Sequence, residues 1–167
     1  TIEYATANPT TFITRNSKSI DWFYTGSSSS RNTNWTESDK PKSIYDPCPV
    51  GYRVPSNVVW SGFLQDGQTS QYGITEKYNV SGGWDNGWNF LYDGVNSTYY
   101  PSTHYVNNGG FEEWRWRSNE YNFMWSSNYM YDRYSRSFVF YYTNDSNSHI
   151  NLQDQSESAS AFAVRCM

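Results

Sequence analysis

Ten of the 23 residues in EYNFMWSSNYMYDRYSRSFVFYY, positions 120–142, are aromatic. The rest of the chain follows suit, with 16 Tyr, 9 Phe and 8 Trp, although only 37% of residues are hydrophobic and the mean hydropathy is −0.84. A chain this poor in aliphatic side chains has to build its core from a few large rings, each burying a large area. Rings at this density also exclude a disordered chain, which lacks the apolar surface to offset its ordering entropy. At 167 residues, a single domain over 1–167 is expected, burying roughly two-thirds of its unfolded surface.

Charge narrows the function classes. A net charge of −4 argues against a nucleic-acid partner, since phosphate binding needs a basic field. All four Lys (18, 40, 42 and 77) fall in the first half, while Arg115, Arg117, Arg133, Arg136 and Arg165 fall late. Arg is favoured and Lys disfavoured at protein interfaces, because a guanidinium stacks, forks and sheds water more readily. Arg interleaved with Tyr therefore reads as a contact surface. No apolar run approaches the ~20 residues that a membrane-spanning helix needs, so no direct membrane insertion is expected. A chain beginning at Thr1 without Met reads as a mature or excised fragment, so the missing signal peptide says nothing about export.

Cys48 and Cys166 stand 118 positions apart. Two unrelated buried thiols are one reading. The other, preferred, is a disulfide that ties a terminal strand to the early chain, since Phe162, Val164 and Cys166 alternate onto one face. Such a bridge is worth about 4–5 kcal/mol in the loop-entropy picture and implies an oxidising, extracytoplasmic setting.

Along the chain, 1–25 reads as short strand-like pieces around a Pro turn, and 26–34 (GSSSSRNTN) as a surface loop. Pro47, Pro49 and Gly51 punctuate a turn, and Tyr52–Val54 reads as a short strand. Ser56 reads as the N-cap of a helix in which Val59 pairs with Phe63 and Trp60 with Leu64, closed by Gly67. Positions 68–110 read as structured loop with short strands. Trp114 and Trp116 alternate with Arg115 and Arg117. Tyr121, Phe123 and Trp125 share a face, and strands are expected over 137–142 and 161–166. The expected class is α+β, β-rich, with one or two helices and long structured loops.

The segments IYDPCPVGYRVP, WSS and the closing FAVRCM resemble the DPCPxGxxVP opening, YWSS-like middle strand and VRC ending of the Fibrobacter-succinogenes-type major paralogous (FISUMP) domains. NPTTFI near the start is similar to the segment before that opening. This resemblance implies a C-type-lectin-like fold whose first and last strands pair, bringing the chain ends and the two cysteines together. It also implies an exported location, at the bacterial cell surface or a pilus tip, with pilus subunits as possible neighbours. The chain is similar, too, to the variable proteins of diversity-generating retroelements. Their mutable positions hold residues such as Asn, Tyr, Ser, Asp, Arg, His and Phe, and never Trp, Met, Glu, Gln or Lys. On that resemblance Asn128, Tyr129, Tyr131, Asp132, Arg133, Tyr134, Ser135, Arg136, Asn144, Asp145, Asn147, His149 and Asn151 would be variable, and Met124, Trp125 and Met130 scaffold.

The rings divide by their surroundings. Phe123, Trp125, Phe138 and Phe140 read as core. Tyr129, Tyr131 and Tyr134 lie in NYMYDRYSR, which reads as a polar loop, and Tyr offers broad contact area at low entropy cost, as in antibody paratopes. The expected function is ligand binding by an adhesin face over 128–151, directed at a protein or glycan. Tyr129, Tyr131 and Tyr134 would anchor, Arg133 and Arg136 would give forked hydrogen bonds, and Asn128, Asp132, Asn144, Asp145, Asn147, His149 and Asn151 would line a polar rim. A structural pilus subunit without its own ligand is the alternative. Calcium-dependent sugar binding needs clustered carboxylate and amide oxygens. WDN at 84–86 has the composition in the wrong order, and Asp85, Asn86 and Asp93 read as turn caps. No catalytic set is expected: His104 and His149 lack metal-ligand spacing, and Glu112 and Glu113 would point to opposite faces of a strand. No cofactor or metal is expected. The four N-x-S/T sequons at Asn34, Asn79, Asn96 and Asn144 are expected by chance in a chain so rich in Asn and Ser.

Overall fold

Aromatic residues meet from two sheets and one short helix. The computed structural model describes residues 2–8, 41–43, 46–67, 70–73, 75–103, 105, 120–131, 134–158 and 160–167. The sequence readings for 9–40, for His104, for the Trp/Arg alternation at 114–117, for Glu112 and Glu113, and for Asp132 and Arg133 lie outside the described residues. The rest is β-rich.

A four-stranded antiparallel sheet has the order β1 (Ser70–Tyr72), β7 (Asn147–Glu157), β6 (Tyr134–Asn144), β5 (Tyr121–Tyr131). A three-stranded antiparallel sheet runs β2 (Val80–Ser81), β3 (Gly87–Leu91), β4 (Ser97–Pro101). Alternation along β6 turns Phe138 and Phe140 inward, and both are fully buried. Ile150 pairs opposite Phe140, and Met124 pairs opposite Phe138. Trp88, Phe90 and Tyr100 of the second sheet complete the core with Trp60, Phe63 and Leu64. Phe63 stacks on Phe90 at 4.3 Å between centroids, and Trp60 on Phe138 at 4.9 Å. The Trp60 indole N–H donates to the Tyr100 hydroxyl at 3.2 Å, so these two buried rings meet through their polar handles. Phe138 and Phe140, read as core, lie in it; Met124 takes the inward face of β5, while Trp125 is buried and Phe123 half-buried against Phe162.

Four expectations need correction. Ile2–Ala7, read as strand-like, is a short α-helix, α1. Glu3 in its first turn suits the helix dipole, and the Asn8 N–H and Nδ2 both donate to the Tyr4 carbonyl at its end. The helix after Ser56 is a 3-10 helix, Asn57–Phe63. Its buried residues, Asn57, Trp60 and Phe63, recur every third position, the period at which a 3-10 helix stacks side chains. Val59, paired with Phe63 in the i,i+4 reading, is 47% exposed. Tyr52–Val54 forms no strand; Arg53 and Met167 instead exchange two backbone hydrogen bonds at 2.9 and 3.0 Å. The expected strand at 161–166 reduces to bridge positions, with Ala163 beside Met124 in parallel. Phe162 there stacks on Trp125 at 4.4 Å.

Cys48 and Cys166 form a disulfide. Next to it, the Asp46 carboxylate accepts the Cys48 and Val54 N–H groups at 2.9 and 3.1 Å and the Lys42 ammonium at 2.5 Å. Disulfide, carboxylate and the Arg53–Met167 pair form a clasp where the segment around Cys48 meets Cys166 and Met167. Among the described residues no helix is long and apolar enough to cross a membrane. The disulfide fits an extracytoplasmic protein.

Candidate functional site

The described residues of NYMYDRYSR, read as a loop, lie on the paired strands β5 and β6. Tyr131 of β5 pairs with Tyr134 of β6. The register there is not regular. Between Trp125↔Ser137 and Tyr129↔Ser135, three β5 residues face one on β6, and a second shift follows at Met130. Bulges of this kind bend a strand and re-aim side chains. They explain why no alternation was visible over 126–131, and why polar residues there suggested a loop.

The structure gathers part of the expected site and splits the rest. Tyr129, Tyr134 and Arg136 sit at one end of the sheet and are half-buried, with Tyr131 at the same end by register. Tyr134 alternates onto the face of Arg136 and Phe138, whereas Tyr129 lies opposite Ser135 on the other face. The tyrosines therefore flank a hairpin end and do not tile one flat surface. Asn144, Asp145 and Asn147 are exposed at the far end, where β6 turns into β7. Seven residues of β6, 137–143, lie between Arg136 and Asn144, a span of about 26 Å at ~3.3 Å per residue. No small ligand touches both ends.

At that far turn the side chains are committed locally. The Ser146 N–H donates to Asn144 Oδ1, and the Tyr142 hydroxyl to Asp145 Oδ1, both at 3.0 Å. His149 and Asn151 occupy the middle of the sheet. His149 is only 5% exposed, with its ring 5.2 Å from that of Tyr141. Asn151 accepts the Gln153 N–H at 2.9 Å and donates to Asp154 at 3.1 Å. Asn128 accepts the Asn57 N–H at 2.7 Å.

β7 supplies neighbours that sequence reasoning missed. Glu157 is the cross-strand partner of Tyr134, and Gln155 that of Arg136. The Arg136 guanidinium donates to the Gln153 carbonyl at 2.6 Å, which orients it along β7. Behind it runs a hydroxyl–carboxylate chain: Ser137 to Ser156 at 2.8 Å, and Ser156 to Asp154 at 3.2 Å. A further pair, Ser135 and Ser158, meets at 3.0 Å. Burial raises the Asp154 pKa above its ordinary value, against the lowering pull of Ser156, Gln155, Asn151 and the Arg136 charge. Alternating apolar residues at Ile150 and Leu152 were the available signal for this strand, masked by the polar run around them.

Asp93, considered as a calcium donor, spends its carboxylate on its own turn. It accepts the Val95 and Asn96 N–H groups at 3.0 and 2.6 Å and the Asn96 amide at 2.7 Å. Among the described residues no cluster of three or more His, Cys, Asp or Glu is placed to hold a metal.

Comparison with models of protein families, with curated proteins and with solved structures finds no match.

Proposed function

We propose that this protein is an extracytoplasmic binding module that recognises a protein or glycan with the β5–β6 hairpin end. Tyr129, Tyr131 and Tyr134 are its anchors, flanked by Arg136, Gln155 and Glu157. The observation that carries this reading is the concentration of Tyr and Arg at one end of a long hairpin whose base is locked in an aromatic core. Rigid aromatic side chains on a fixed backbone lose little entropy on binding. One Arg136 nitrogen donates to the Gln153 carbonyl, and its remaining N–H groups, with those of Arg133, supply the forked hydrogen bonds.

The family reading goes with it as a proposal: a C-type-lectin-like domain of FISUMP type at a bacterial surface or pilus, diversified by a retroelement. Its support is DPCPVGYRVP leading into the clasp, WSS at the β5 bulge and FAVRCM closing the disulfide. A near-repeat of the codons for 115–166, differing at adenines beside a reverse-transcriptase gene, is the expected genomic signature. Its absence removes the diversification.

The binding reading is tested with two triple variants on arrays of glycans and cell-surface proteins. Replacing Tyr129, Tyr131 and Tyr134 by Ala abolishes attachment, while replacing Asn144, Asp145 and Asn147 by Ala leaves it intact. Unchanged attachment by the tyrosine variant, with its fold preserved, rejects the hairpin end as the site.

A further inference from the structure

The first N–H groups of a helix have no partner inside it. The sequence offers Ser56 for this task, next to the 3-10 helix, yet its side chain makes no capping bond. The partner comes from 71 positions away: Asn128 Oδ1 accepts the Asn57 N–H at 2.7 Å. Alongside, the Ser127 N–H donates to the Pro55 carbonyl at 2.8 Å. Ser126 Oγ donates to the Arg136 carbonyl at 3.0 Å. These three residues are the β5 bulge, and Ser126 and Ser127 are buried at 1% and 3% exposure.

We propose that Asn128 is a positioning residue, which pins the bulge to the helix and so fixes the angle at which the hairpin end is presented. The bulge interrupts the β5–β6 ladder just before Tyr129, so that ladder does not set the course of β5 from Trp125 to Tyr129, while β6 stays paired to β7 through Tyr134 and Glu157. The helix side of the pin is immobilised in turn. Val54 is held by Asp46, Arg53 by Met167, and the segment is tied by Cys48–Cys166. A continuous run of bonds thus links the clasp to the hairpin end. Asn128 was expected to touch ligand, but its side-chain oxygen is spent on Asn57. The functional part of this proposal rests on the binding reading above; its structural part does not.

The test uses the full chain with Asn128→Ala and Asn128→Asp, the latter keeping an acceptor at the same place. Asn57 amide exchange and backbone relaxation at Tyr129 and Tyr134 are followed by NMR, and attachment on a printed glycan and protein array. In Asn128→Ala, Asn57 exchanges about five- to tenfold faster, in line with the loss of a helix cap. Tyr129 and Tyr134 gain motion while the Trp60 and Phe138 signals stay unmoved, and attachment falls. Asn128→Asp restores all three. Unchanged Asn57 exchange in Asn128→Ala overturns the pin. Lost attachment in Asn128→Asp with Asn57 still protected also overturns it, because the amide would then be touching ligand. If the tyrosine triple variant still attaches, the binding reading is what has failed, and exchange and relaxation alone decide the pin.

Discussion

Asp46 and Asp154 are carboxylates removed from water in one molecule, and their surroundings drive them in opposite directions. Burial works to raise both. At Asp46 the hydrogen bonds from Lys42, Cys48 and Val54 outweigh it and hold the pKa below its ordinary value. A depressed folded pKa gives stability that is present above the unfolded value and lost as pH falls through the folded one. At Asp154 burial wins, so the folded pKa is raised. Its contribution is present below the unfolded value and is lost as pH rises through the folded one. Asp46→Asn is therefore expected to destabilise at neutral pH, with the deficit closing in acid. Asp154→Asn is expected to stabilise at neutral pH, with the gain vanishing in acid. Urea unfolding from pH 3 to 8 checks both; the same sign for the two variants at pH 7 would refute this assignment.

At the scale of elements, the sequence was most legible where rings alternate and least where serines do. Phe138, Phe140 and Trp125 were placed correctly because apolar alternation marks a strand face. β7 was passed over because Ser148 and Ser156 are buried along it, which looks like surface in a sequence. Hydroxyl pairs such as Ser137–Ser156 make that burial affordable, and only the fold brings them together. The bulge at Ser126–Asn128 hid β5 in the same way. The 3-10 helix reads as an α-helix in the sequence because Val59, exposed in the structure, stands four positions before Phe63. β3 and β4 approach closely at Gly87: a Cβ there would run into the Tyr100 carbonyl oxygen, and its φ is +150°. Gly87→Ala is expected to cost about 1–3 kcal/mol, as overpacking and backbone strain do. A thermal melt indistinguishable from the parent would show that the strands can part there.

On the scale of the whole molecule, the disulfide was legible and the layout of the candidate site only in part. Two cysteines and an alternating C-terminus sufficed for the first. The second required knowing that the late polar segment doubles back, which carries Asn144 and Asn147 away from Tyr134 along β6. Replacing Cys48 and Cys166 together by Ser is expected to cost about 4–5 kcal/mol by freeing a long loop in the unfolded chain. Against a typical total of ~5–15 kcal/mol, that puts the double variant near the edge of folding, measurable by denaturant titration under oxidising and reducing conditions. The most direct measurement of the central claim is hydrogen exchange of the intact chain with and without a binder taken from the array. Protection is expected in 129–136 and 155–157, with 144–147 unchanged. Protection confined to the 144–147 turn, or to the exposed turn between β3 and β4, would contradict it.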